Sequence, residues 1–189
     1  MRPQTIARNQ IDAATAVSRR SCVSHELIVI DTPLVETEWD MVRAFARHLE
    51  REDVRLRFGY PLDPDDEAVL RPIFDIRVGV GEMVWALDET AAVAAVAHRI
   101  SVSQTEAEIG LIVRSDLKHL GIGECLLRAV LARAARQGLK TLHASVLWEN
   151  RPMLRLAVKI GYAAGTPSAG TVELTFMTDR ITAWPAECL

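Results

Sequence analysis

The spacing of apolar positions changes character several times along the chain, and each change predicts an element. Residues 26–31 form an unbroken apolar run between Glu26 and Asp31 and read as a strand that Thr32-Pro33 ends. Over 35–50 the apolar positions Val35, Trp39, Val42, Ala46 and Leu49 follow a helical period. In 53–61, Val54, Leu56 and Phe58 alternate with Arg55 and Arg57; a short strand fits, but the Gly59-Tyr60-Pro61 ending predicts a structured loop. A helix over 67–74 follows, with Asp63 or Asp65 as its expected cap.

From Gly79 onward the pattern turns to strands at 82–87, 92–100 and 106–114, joined by turns short enough to make antiparallel neighbours. A strongly amphipathic helix over 121–137 then carries Ile122, Cys125, Leu126, Ala129, Val130 and Ala134 on one stripe, and Gly138 is its expected stop. The strand at 141–147 comes after a helix and is expected to run parallel to the strand before that helix. Asn150 can cap a last helix with Pro152 in its first turn, ending at Gly161, and a strand at 170–177 closes the pattern. Residues 1–24 show only isolated apolar positions and read as a tail, with a weak helix over 10–18, ahead of a single domain over 25–189. The expected fold is α+β: a mixed, mostly antiparallel sheet of six or seven strands with about four helices. The strand–turn–helix–strand unit over 106–147 puts its turn at the carboxyl end of a strand, where ligands of such sheets collect.

Composition narrows the function classes. Apolar residues make up 49 %, charged residues 25 %, and the formal net charge is −3, which is not the balance of a nucleic-acid binder. Cys22, Cys125 and Cys188 are odd in number and show no CxxC spacing, so neither a disulfide framework nor a metal site is expected. No stretch approaches the roughly 18 consecutive apolar residues of a membrane span, and the first residues lack the apolar segment of a secretory signal. A cytoplasmic protein is the expectation.

The chemistry is concentrated around one turn. Lys118-His119-Leu120-Gly121-Ile122-Gly123 leads into the amphipathic helix, whose first N–H groups have no partner within the helix and stand at the positive end of its dipole. That suits phosphate, although the spacing is not that of a GxxxxGK[ST] loop and a bare strand-to-helix turn is the competing reading. On the strand before it, Glu108 shares a face with Gly110 and Ile112 while Ile109, Leu111 and Val113 share the other. A carboxylate inside an apolar strand must be paired, stand at an edge or line a cleft. Burial there would raise its pKa and suit a general base, and a salt bridge to Arg99 is the alternative.

Residues 108–123, together with Glu149-Asn150-Arg151-Pro152-Met153 and Lys159-Ile160-Gly161-Tyr162, resemble the GNAT superfamily of N-acetyltransferases. Ser-Asp-Leu-Lys-x-x-Gly-x-Gly over 115–123 and Glu-Asn-x-x-Met over 149–153 are most similar to bacterial protein-lysine acetyltransferases of the Pat type, and 53–58 is similar to a segment of the same group. The resemblance implies a V-shaped opening between two central parallel strands, holding acetyl-CoA as co-substrate. It implies that the backbone of Ile112 and Val113 pairs with the pantetheine arm. Backbone N–H groups across Lys118, His119, Leu120, Gly121, Ile122 and Gly123 would hold the pyrophosphate, with Asn150 assisting at the next helix. Glu108 would be the general base for direct attack by an acceptor amine, with no covalent enzyme intermediate and no metal. The implied acceptor is a lysine-bearing protein, such as an acyl-CoA synthetase, with a small amine as the alternative; a coenzyme-binding module with little or no turnover is the other reading. Three positions depart from the family pattern. Leu120 stands where Arg is frequent, Lys118 where Gln or Arg is usual, and Ala157 where many members carry an acidic Tyr; Tyr162 reads as packing. The sequence gives no oligomeric state.

Overall fold

The computed structural model describes residues 20–22, 25–63, 66–74, 79–165 and 167–180; most of the expected tail, its weak helix over 10–18 included, lies outside them. Eight strands form one sheet in chain order except at the last edge, where the eighth lies inside the seventh. They are β1 (Arg20–Cys22), β2 (His25–Ile30), β3 (Gly81–Leu87), β4 (Val93–Ser101), β5 (Glu106–Val113), β6 (Thr141–Leu147), β7 (Ala163–Ala164) and β8 (Thr171–Met177). Five helices are described: α1 (Glu36–Ala46), α2 (Arg51–Phe58), α3 (Glu67–Phe74), α4 (Ile122–Arg136) and α5 (Arg151–Ile160). The expected class is therefore met, with the edge strands β1 and β7 and one helix added. Those two strands are too short to carry a period.

The added helix is α2, where a loop was expected. Its alternating Val54, Leu56 and Phe58 imitate a strand, but other local signals favour a helix. Glu52 and Asp53 occupy its first turn and Arg55 and Arg57 its last, matching the helix dipole. Gly59 adopts a left-handed conformation, φ 84°, and its N–H bonds the Arg55 carbonyl, so the Gly-Tyr-Pro ending is a C-terminal cap. The start of α3 also differs, since Asp66, rather than Asp63, accepts a hydrogen bond from the Ala68 N–H.

Helices cover both faces of the sheet, which explains why β3 is buried on both sides and reads as continuous apolar sequence. One core lies between the sheet and α4 and α5, with Leu126, Leu127, Leu131, Leu142 and Phe176 at its centre. The other lies beneath α1, α2 and α3 and contains Trp39, Phe45, Phe74, Met83, Trp85 and Ile112. The faces of β5 divide as expected: Ile109 belongs to the first core and Ile112 to the second. Cys125 lies within the first core, on the apolar stripe of α4.

The feature that positions the site is the junction of β5 and β6. These strands are parallel, but they pair only from Glu106–Thr141 to Glu108–His143. Past that point β5 continues to Val113 and β6 to Leu147 without pairing to each other, so the sheet opens into a wedge. Antiparallel pairing on the outer sides, β4 with β5 and β6 with β8, holds each arm in place.

Candidate active site

The wedge forms a cleft of about 490 Å³, walled by Ile109–Val113 of β5, 144–146 of β6, the turn before α4 and the first turns of α4 and α5. Its chemistry is mostly that of backbone. The β5 edge facing β6 loses its ladder partner after Glu108, which frees the main-chain groups of Leu111 and Val113 for a ligand; those of Ile112 turn the other way and pair with Val96 of β4. Gly121 is the N-cap of α4 at φ 84° with no side-chain cap, leaving the first N–H groups of the helix open to the cleft. Gly123 brings that helix end close to the strand: a Cβ there would stand 3.4 Å from Val113 Cγ2. His119 also takes a positive φ, 64°, so the turn is sharply coiled. An extended amide-bearing arm fits beside β5 and a pyrophosphate fits at the helix end. The donor set thus suits a coenzyme-A thioester.

The proposed residues do not all meet. Ile112, Val113, Lys118, His119, Gly121, Ile122, Gly123 and Asn150 line the cleft, whereas Leu120 points away, 67 % exposed. Two side chains are occupied by structural bonds. Lys118 is ion-paired with the buried Asp53 of α2, so its backbone is what the turn offers a phosphate. Asn150 caps α5 by accepting from the Met153 N–H at 3.2 Å, and its Nδ2 donates to the Leu56 carbonyl of α2 at 3.3 Å. Ala157 is fully buried, so the apolar core fills the place of a family tyrosine; Tyr162 packs against that core, as expected.

Glu108 is exposed, not buried, because the strands part beside it. The salt bridge to Arg99 does not form; Arg99 pairs with the buried Glu82 at 3.0 Å. Glu108 lies just beyond the cleft wall, and its register partner in β6 is His143, whose Nδ1 lies 3.4 Å from Thr175 Oγ1. At about 3.3 Å per residue, Glu108 is on the order of 13 Å along the strand from Ile112.

Between those two points the structure places groups that sequence reasoning missed. α2 bridges the open end of the wedge. Asp53 accepts from Ser115 Oγ at 2.6 Å on the β5 side, while Arg55 pairs with Glu149 on the β6 side. This bridge lays Arg57 across Gly110, so closely that a Cβ at position 110 would collide with the guanidinium. Opposite Gly110 on β4 stands His98, edge-on to Phe74 at 5.3 Å between ring centroids. Burial, followed by the Arg57 charge, pushes His98 down to about 3, so it is neutral at physiological pH. A visible signal was His98 as the lone ionisable residue in the apolar run 92–98.

Among the described residues no group of three or more metal-ligating side chains gathers, and no helix is long and apolar enough to cross a membrane. The family model for an acetyltransferase (GNAT) domain matches residues 32–163. The fold is similar to the GNAT domain of S. lividans PAT, at 20 % identity and a TM-score of 0.70, over 81 % of this chain and 90 % of that one. It is also similar to spermidine N-acetyltransferase from Vibrio cholerae in complex with CoA and spermine, at 13 % identity and a TM-score of 0.61, over 83 % and 98 %. The ribosomal-protein-S18-alanine N-acetyltransferase from Escherichia coli matches at 17 % identity and a TM-score of 0.56, over 80 % and 94 %. With the family model spanning more than two thirds of its length, and a wedge whose backbone suits a coenzyme-A thioester, this chain belongs to the GNAT acetyltransferase family.

Proposed function

We propose that the chain is an acetyl-CoA-dependent N-acetyltransferase in which Glu108 is the general base for direct attack by an acceptor amine. When bound, acetyl-CoA supplies an acetyl group activated as a thioester. The open main-chain edge of β5 that ends at Val113 orients the pantetheine, and an N–H near Val113 polarises the carbonyl oxygen. The open N–H groups from Lys118 to Gly123 hold the pyrophosphate. Glu108 takes the ammonium proton through water, because of its separation from Ile112 along β5. Direct attack needs no enzyme nucleophile, which agrees with the core position of Cys125.

The observation that carries this reading is the brief β5–β6 pairing, which ends at Glu108 and opens a strand edge directly toward an uncapped helix start. For the acceptor, a protein lysine side chain is supported by the motifs over 115–123 and 149–153 and by the likeness to the GNAT domain of S. lividans PAT. A small amine is the second reading, supported by the likeness to the spermidine N-acetyltransferase from Vibrio cholerae. The protein is placed in the cytoplasm on the sequence grounds above.

The test is Glu108→Gln, assayed by thiol release from acetyl-CoA with lysine-bearing proteins from cell extract and with small amines. Turnover is expected to fall about 10²- to 10³-fold with coenzyme affinity unchanged. Unchanged turnover removes the base assignment, and coenzyme binding without acetyl transfer to any acceptor identifies a binding module.

A further inference from the structure

The four buried side-chain polar atoms without a hydrogen-bond partner among the described residues all lie on the α1–α3 face of the sheet. They are Arg57 Nε, Trp85 Nε1 and both ring nitrogens of His98. Trp85 belongs to the apolar core on that face, and His98 packs edge-on against Phe74 of the same core. Arg57 differs from these because it carries a permanent charge and lines the cleft.

Of the two arginines that line the cleft, Arg155 is exposed on α5, whereas Arg57 reaches in from α2 and its Nε is buried. Arg57 makes no ion pair among the described residues. Its guanidinium lies over the Phe58 ring at 4.8 Å and feels Glu108 only through space. Desolvation lowers its pKa to about 10, so it remains charged at neutral pH. A charged group whose Nε is buried without a partner is costly, and its planar fork is shaped for a carboxylate. The absence of a side chain at Gly110 is what gives the fork its place.

Position identifies which molecule supplies that anion. Arg57 stands over Gly110, two residues from Glu108 and two from Ile112 on one face of β5, between the general base and the main-chain edge assigned to the pantetheine. An acceptor nitrogen passing between these points lies beside the guanidinium. We infer that Arg57 binds a carboxylate carried by the acceptor within two or three bonds of its reacting amine, so that the substrate class is a small amino acid or related amino carboxylate. A protein lysine holds its amine at the end of a four-carbon stem and brings no carboxylate of its own to this depth. The inference rests on the acceptor half of the site assigned under the proposed function and selects the second of its two acceptor readings.

The experiment is calorimetric titration of the CoA-saturated protein, and in parallel of the protein alone, with L-leucine, L-methionine and L-glutamate and with the α-carboxamide of each. The free carboxylates are expected to bind about tenfold or more tightly than the amides. Arg57→Gln erases that preference. Gly110→Ala, which displaces the fork without removing it, reduces the preference while leaving CoA affinity within twofold. Equal binding of acids and amides, no binding of any of the acids, or a preference that survives Arg57→Gln overturns the inference. Thiol release with the same compounds separates the two proposals. Turnover without carboxylate preference retains the transferase and removes the Arg57 assignment; carboxylate binding without turnover does the reverse.

Discussion

The two halves of the site are built from different materials. The coenzyme half is backbone: a strand edge without a partner, a coiled turn and a helix start without a cap. Its side chains either turn away, as Leu120 does, or are held by structural bonds, as Lys118 and Asn150 are. The acceptor half, as proposed, is side chains, Glu108 and Arg57, delivered by β5 and α2, with His98 of β4 packed behind Gly110. Main-chain donors do not depend on side-chain identity, so the coenzyme half tolerates departures from the family pattern. Each change in the acceptor half alters charge or shape directly, which makes it the place where specificity resides.

The largest expected effect comes from cutting the link between the halves. Asp53 is 8 % exposed and holds both Ser115 and Lys118 against α2. Asp53→Ala strands the Lys118 charge and is expected to cost about 2–3 kcal/mol in urea-unfolding free energy. Because the turn before α4 then loses its tie to α2, the helix that carries Arg57, coenzyme Kd and acceptor KM rise together; a change confined to one of them shows that the halves are independent.

A smaller effect belongs to the acceptor half. The folded protein holds His98 neutral down to about pH 3, while the unfolded chain takes up that proton near pH 6.5. The stability this contributes is complete above about pH 6.5 and is lost as pH falls toward 3, with about 2 kcal/mol gone by pH 5. His98→Leu is expected to flatten this slope in urea titrations at pH 7 and pH 5 without altering coenzyme affinity at pH 7. An unchanged slope refutes the assignment.

The smallest effect belongs to the coenzyme half. Leu120 is exposed, so Leu120→Arg restores the frequent family residue without disturbing packing. A gain of about three- to fivefold in coenzyme affinity is expected at low salt, of the size of an exposed ion pair, and it fades by 0.5 M salt. Calorimetry reads both arms, and acceptor KM stays unchanged.

The legibility of the sequence followed the same division. The β6 boundaries were readable because its period is local, and the coenzyme turn because glycines at 121 and 123 next to an amphipathic run report their own geometry. α2 was misread because three alternating apolar residues outweighed its end charges and glycine cap. Arg57 was then seen only as the polar half of an alternation. Glu108 was correctly marked as unusual within its strand, but its exposure depends on where β5 and β6 separate, which neither strand encodes alone.

What the sequence determined by itself was the order of most elements, the two faces of β5 and the glycine-flanked start of α4, all properties of neighbours a few residues apart. Only the tertiary structure decided that Lys118 and Asn150 serve α2, that Glu108 faces solvent and that a buried guanidinium rests on Gly110. The physical reason is range. Periodicity and capping act within a few turns of chain, whereas the contacts of α2 across the cleft join residues 53 with 118, 55 with 149 and 57 with 110, and exist only after the sheet has formed and opened.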